Sequence, residues 1–170
     1  MAVNLYSFVD LYTRILDTAA HILAKGAAHA AATGVSDAEM LSWRLIDDME
    51  PLGFQIAVIG NFTRQWPARV VGIPTPPDIP ATISLSQFIA EIAAARQFVA
   101  SLTPAQFEGR DDAPLKVSIG SGQMEPTLPA GRWLTVFATT NLYFHLSIAY
   151  AIMRARGVPL GKVDMFPTGL

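Results

Sequence analysis

Residues Leu5–Leu23 read LYSFVDLYTRILDTAAHIL. Apolar side chains fall at Leu5, Phe8, Val9, Tyr12, Ile15, Leu16, Ala19, Ile22 and Leu23, the i, i+3, i+4, i+7 recurrence of one helical face. Ser7, Asp10, Arg14, Asp17 and Lys25 fall on the opposite, wet side. The Ala-rich run past Gly26 carries this helix to about Ala32, and Gly34 ends it. The rest of the chain repeats the pattern. Ser36 and Glu39 have the spacing of a capping box and start a short second helical segment. Pro51 interrupts it, because a residue before proline avoids the helical region. Asp47 and Asp48 then cap a new helix from about Met49 to Val71, with Leu52, Ile56, Ile59 and Phe62 on its inner face.

The segment Gly72–Pro80, GIPTPPDIP, contains four prolines and is a stiff, extended connection. Ser84 and Gln87 form a second capping box, and Leu85, Phe88, Ile89, Ile92, Phe98, Val99 and Leu102 mark a third long helix. Thr103-Pro104 has the chemistry of an N-cap and first helical position. Residues 108–131 lack helical period. There Leu115–Ile119 alternates, and Gly120-Ser121-Gly122-Gln123 turns it into Met124–Leu128. A small β-hairpin is expected, with Pro126 confining its second strand to an edge. The last helix runs from about Arg132 to Arg156, closed by Gly157 and Pro159. Four long helices without repeats or linkers make residues 1–170 a single all-α domain, a four-helix bundle.

The composition limits the chemistry. Half of the 170 residues (51%) are apolar and 15% charged, which excludes intrinsic disorder. A net charge of −2 leaves no electrostatic footprint for nucleic acid. With no Cys, disulfides, thiolate nucleophiles and Cys-ligated zinc are excluded. The start of the chain lacks a basic n-region and Asp10 interrupts any apolar stretch, so no secretory signal is read and a cytoplasmic protein is expected. The most apolar stretch, Leu142–Met153, is shorter than the about 20 residues of a spanning helix, so no membrane contact is expected. Asn61-Phe62-Thr63 fits a glycosylation sequon, a chance match inside a helix.

Three histidines are present, His21, His29 and His145. His21 lies on the wet side of the first helix and His29 in its Ala-rich end, and both read as plain surface residues. His145 lies one turn from Asn141 in the apolar last helix, with Tyr150 on a neighbouring stripe. Gln55 interrupts the apolar run LGFQIAVIG, and Asp48, Leu52 and Gln55 share a stripe if the helix starts before Pro51. These positions form a candidate pocket of Asp48, Gln55, Asn141, His145 and Tyr150. The functional reading makes His145 a metal ligand or general base facing Asp48 or Gln55. The structural alternative has Asp48 capping a helix while Gln55 and His145 satisfy each other.

Asp48-Met49-x-Pro51-Leu52-x-x-Gln55, followed by Asn141-x-Tyr143-Phe144-His145-x-x-x-Ala149-Tyr150-Ala151-Ile152-x-Arg154, resembles an uncharacterised subfamily of DinB-like proteins. The tail Gly157-Val158-Pro159-Leu160-Gly161-Lys162-x-Asp164-x-Phe166 is similar to the same group's C-terminal signature. The resemblance covers essentially the whole chain. It implies an up-down-down-up bundle, often dimeric, with a long crossover between the second and third helices, which suits Gly72–Pro80. It also implies a divalent metal held by three His in many relatives, including thiol transferases: one from the second helix and two from the last at H-x-x-x-H spacing. Here His145 matches one position of the last-helix pair, Ala149 stands at the other, and the second helix offers Asp48 and Gln55 but no His. The three-His site is therefore not present, and a metal would rest on His145 and Asp48 completed by water. Thr140 stands where the subfamily commonly has Pro, which smooths the last helix at that point.

Three functions are consistent with these residues. The favoured one is a small-ligand-binding bundle, probed at a polar inter-helix pocket around His145 and expected to be a homodimer. The second is a divalent-metal-dependent transferase or hydrolase with an atypical site. The third is a structural dimeric bundle without ligand, in which the polar cluster serves packing.

Overall fold

A computed structural model of the chain describes residues 4–120 and 122–169, and it is mostly helical. The long helices are α1 (Ser7–Thr33), α3 (Leu52–Val71), α4 (Leu85–Ala100) and α7 (Thr139–Ala155). Shorter ones are α2 (Asp37–Ser42), α5 (Pro104–Phe107) and α6 (Ala130–Arg132). α3 packs most extensively on α7, and α1 on α4. Between them Tyr12, Leu16, Ile22, Ile56, Ile59, Phe88, Leu142 and Ile152 are buried, the apolar stripes expected from the periodicity.

Local chemistry sets the boundaries. Gly34 ends α1 with φ 73°, a left-handed conformation that costs glycine nothing. Ser36 Oγ accepts from the Glu39 amide at the start of α2. Ser84 and Gln87 make the full reciprocal box at α4: Gln87 N donates to Ser84 Oγ (3.3 Å), and Ser84 N donates to Gln87 Oε1 (2.9 Å). The proline-rich connection Gly72–Pro80 lies along α3 and is held by side chains, since prolines donate no backbone N–H. Asn61 grips Ile79 twice, accepting from its amide at 2.7 Å and donating to its carbonyl at 3.1 Å. Arg64, buried beside it, donates to Pro77 O and Gly60 O. The sequon asparagine is thus a helical residue whose amide is fully engaged.

The hairpin forms from β1 (Pro114–Lys116) and β2 (Thr127–Pro129), antiparallel with Leu115 opposite Leu128, and Ile119 bridges Met124 beyond it. Ser121 of the expected turn lies outside the described residues. Trp133 Nε1 donates to Leu115 O (2.8 Å) and ties the hairpin to the helix that follows.

Two expectations are corrected. α3 starts at Leu52 with Pro51 preceding it, and neither Asp47 nor Asp48 caps it. Proline holds Glu50 out of the helical region, so the helix cannot reach back to Met49. The last helix is not regular from Arg132: Trp133–Ala138 form a π-helical segment before α7. Buried Tyr12 reaches this segment, its hydroxyl donating to Leu134 O (3.0 Å), which also accepts from Thr139 Oγ1 (2.9 Å). The Thr139 amide also donates to Leu134 O, the i→i−5 bond of a π-helix, so this carbonyl stays in the backbone ladder shifted by one residue. Thr140 is the second residue of α7, directly after the π-helical segment. The helical run Ala130–Ala155 is also longer than the apolar stretch read from sequence. By length and composition it could cross a membrane (mean hydropathy 1.2 over its most apolar window), and 33% of that window is buried.

Candidate functional site

α3 and α7 bring Gln55 and His145 together, 90 residues apart in sequence. Gln55, only 2% exposed, sits one turn into α3, where its Nε2 donates to the Glu50 carbonyl at 2.9 Å. A carbonyl can only accept, so this bond fixes which end of the amide is nitrogen and turns Oε1 toward α7. His145 Nδ1 lies 2.7 Å from that oxygen and must be the donor. The proton on Nδ1 leaves Nε2 of the neutral ring as a lone-pair acceptor. Burial lowers the His145 pKa below its ordinary 6.5, favouring this neutral form. Among the described residues Nε2 has no protein partner, and no buried side-chain nitrogen or oxygen is left unpaired, so Nε2 reaches solvent. The rings of Phe54 (6.0 Å between centroids) and Phe144 (5.2 Å, edge-on) flank the imidazole. The result is one basic nitrogen with a fixed orientation on a ring that touches two aromatic side chains.

The other expected pocket members stand apart from this pair. Asp48 lies exposed in the turn before Pro51, and among the described residues its side chain bonds neither Gln55 nor His145. The stripe that linked it to Gln55 required a helix the proline prevents. Asn141 Nδ2 donates to Phe137 O (2.7 Å) on its own helix, and Tyr150 packs part-buried against the apolar core. Ala149, the position matching a second last-helix ligand, is fully buried. Among the described residues no group of three or more His, Asp or Glu could hold a metal ion. These donors do not fit the three-His metal that the resemblance implies.

A second polar assembly was not anticipated. Arg14, Thr18, His21, Lys25 and His29 lie four, three, four and four residues apart, one stripe of α1. Every one bonds the strap of residues 156–169. His29 Nε2 donates to Arg156 O (3.1 Å), and Thr18 Oγ1 to Met165 O (3.3 Å). Arg14 Nη1 donates to Gly169 O (3.2 Å). At the centre Asp164 Oδ1 accepts from His21 Nε2 (2.7 Å) and Lys25 Nζ (2.9 Å), while Oδ2 accepts from Gly161 N (2.7 Å). The Gly161 amide, with His21 and Lys25, holds the Asp164 carboxyl far below its ordinary 3.8. His21 and His29 are therefore not plain surface residues. The signal was present as the polar stripe itself, one polar side chain per turn, which reads equally as a solvated face.

Comparison with known proteins places this architecture. The chain superposes on the crystal structure of a DinB family member protein from Shewanella denitrificans with a TM-score of 0.83 and 26% identity, covering 98% of this chain and 95% of that one. The fold is DinB-like. The profile of the family described as Domain of unknown function (DUF1993) matches residues 5–166, and the chain belongs to that family. No curated protein matches it.

Proposed function

We propose that this protein is a small-ligand-binding helical bundle in which His145 Nε2 accepts a hydrogen bond from the ligand. The single observation that carries the reading is the Glu50–Gln55–His145 chain of bonds, which fixes the proton on Nδ1 and leaves Nε2 to accept, with the Phe54 and Phe144 rings against the imidazole. A ligand with one N–H or O–H donor on an aromatic body meets both features. In this reading the four long helices run up-down-down-up, with Gly72–Pro80 as the crossover. The protein acts in the cytoplasm and away from membranes, and its −2 net charge supports the further reading that it has no nucleic-acid partner.

The alternative, a divalent-metal-dependent transferase or hydrolase, would use the same lone pair, but Asp48 is exposed in the preceding turn and offers His145 no neighbouring ligand. A homodimer is proposed as well, on the observation that Val136, Tyr143 and Phe144 are 56%, 46% and 55% exposed along one helical run.

Nuclear magnetic resonance of tag-free protein tests the reading, with phenol as the probe and anisole, which lacks the donor, as control. Phenol should shift the His145 ring protons saturably and anisole should not. Phenol should also shift the ring protons of Phe54 and Phe144, and that shift should vanish in His145→Phe. Equal responses to both probes contradict the reading. Tight Zn2+ uptake lost in His145→Ala would replace it with the metal-dependent alternative.

A further inference from the structure

The strap does more than close the end of the chain: it walls a groove of about 290 Å³ against α1 and α7. Leu11 and Ile15 from α1, Leu146 from α7, and Met165 and Phe166 from the strap give the groove an apolar lining. That volume is near the lower end for small-molecule sites, about 300 Å³. Arg14 is the one charged side chain on the wall among the described residues. Its Nε donates to the exposed Asp10 (2.8 Å) and its Nη1 to Gly169 O (3.2 Å). Among the described residues Nη2 has no partner, which leaves its N–H groups to donate. A guanidinium beside an apolar slot suits a carboxylate attached to a hydrocarbon chain, since the acid meets a fixed charged donor while the chain leaves water.

We propose that the groove under the strap binds a small carboxylic acid with an apolar chain, its carboxylate on Arg14 and its chain against Ile15, Leu146 and Met165. The site lies on the α1 side of α7 and shares no lining residue with the Gln55–His145 pair. Methyl-resolved spectra of the full chain, titrated to millimolar hexanoate and in parallel with hexan-1-ol, test it. Hexanoate should shift the methyls of Leu11, Ile15, Leu146 and Met165 and bind about fivefold more tightly than the alcohol, the scale of one exposed charged contact. Arg14→Gln should abolish that preference, and Arg14→Lys should retain part of it. Equal affinity for acid and alcohol in the unmodified protein overturns the proposal. So do shifts confined to residues outside the groove, or a preference unchanged in Arg14→Gln. If Arg14→Gln fails to fold, the comparison of the two probes on the unmodified chain still decides.

Discussion

His145 Nδ1 donates to Gln55 Oε1 at 2.7 Å, and this bond crosses the most extensively packed helix pair in the molecule, α3 and α7. Gln55 is held in turn by the Glu50 carbonyl just before Pro51. A loop carbonyl, a buried amide and an imidazole thus form one directed chain.

Gln55→Ala removes both bonds of the buried amide and leaves Glu50 O and His145 Nδ1 without it. The expected loss is about 1–3 kcal/mol in denaturant unfolding. Because the two residues share one bond, Gln55→Ala and His145→Ala should be non-additive, with a coupling of about 0.5–1.5 kcal/mol. Strict additivity would show that the bond contributes nothing to stability.

Burial lowers the His145 pKa, so between 6.5 and the lower folded value the unfolded chain binds the extra proton. The contribution of His145 to stability is therefore complete above pH 6.5 and declines as pH falls below it. A titration of the His145 ring carbon resonance should give a midpoint under 6.5. A midpoint above 6.5 contradicts the assigned environment.

Removing the Asp164 carboxylate in Asp164→Ala takes away the acceptor of His21, Lys25 and the Gly161 amide. Amide exchange across residues 158–169 should quicken while α3 amides keep their protection, because the strap is attached largely by such contacts. The carboxyl is held far below 3.8, so the latch is present above that pH and loosens only as strong acid protonates it. Unchanged strap exchange in the variant would show that buried Val158 and Leu160 suffice to hold it.

Pairing of two copies through the exposed run of Val136, Tyr143 and Phe144 predicts a dimeric mass by sedimentation. Phe144→Lys should shift the protein to monomer at the same concentration, since a desolvated lysine without a partner opposes association. A monomer in the unmodified protein at high concentration removes the proposal.

How much of this was legible in the sequence varies with what each feature depends on. The apolar period of Leu5–Leu23, the Ser84/Gln87 box and Gly34 act within a few residues, and the helices they specify formed. Gln55 and His145 were visible as polar interruptions of apolar faces, and helical spacing sufficed to turn them toward a neighbour. Asp48 failed for a local reason, since Pro51 dominates the helix start over the Asp cap. The Tyr12 bond to Leu134 in the π-helical segment joins residues more than a hundred apart, and no local pattern contains that. The strap is similar: Arg14, Thr18, His21, Lys25 and His29 look like a wet face until residues 156–169 are laid along it.

His145 is held as the neutral Nδ1–H tautomer, with Nε2 open to accept among the described residues. Long-range proton–nitrogen correlation of the His145 ring at pH 7.5 tests it directly. The account predicts a protonated, pyrrole-type Nδ1 and an unprotonated, pyridine-type Nε2, with the pattern lost in Gln55→Ala. A proton on Nε2 instead, or the averaged signals of a ring exchanging both tautomers, would contradict it.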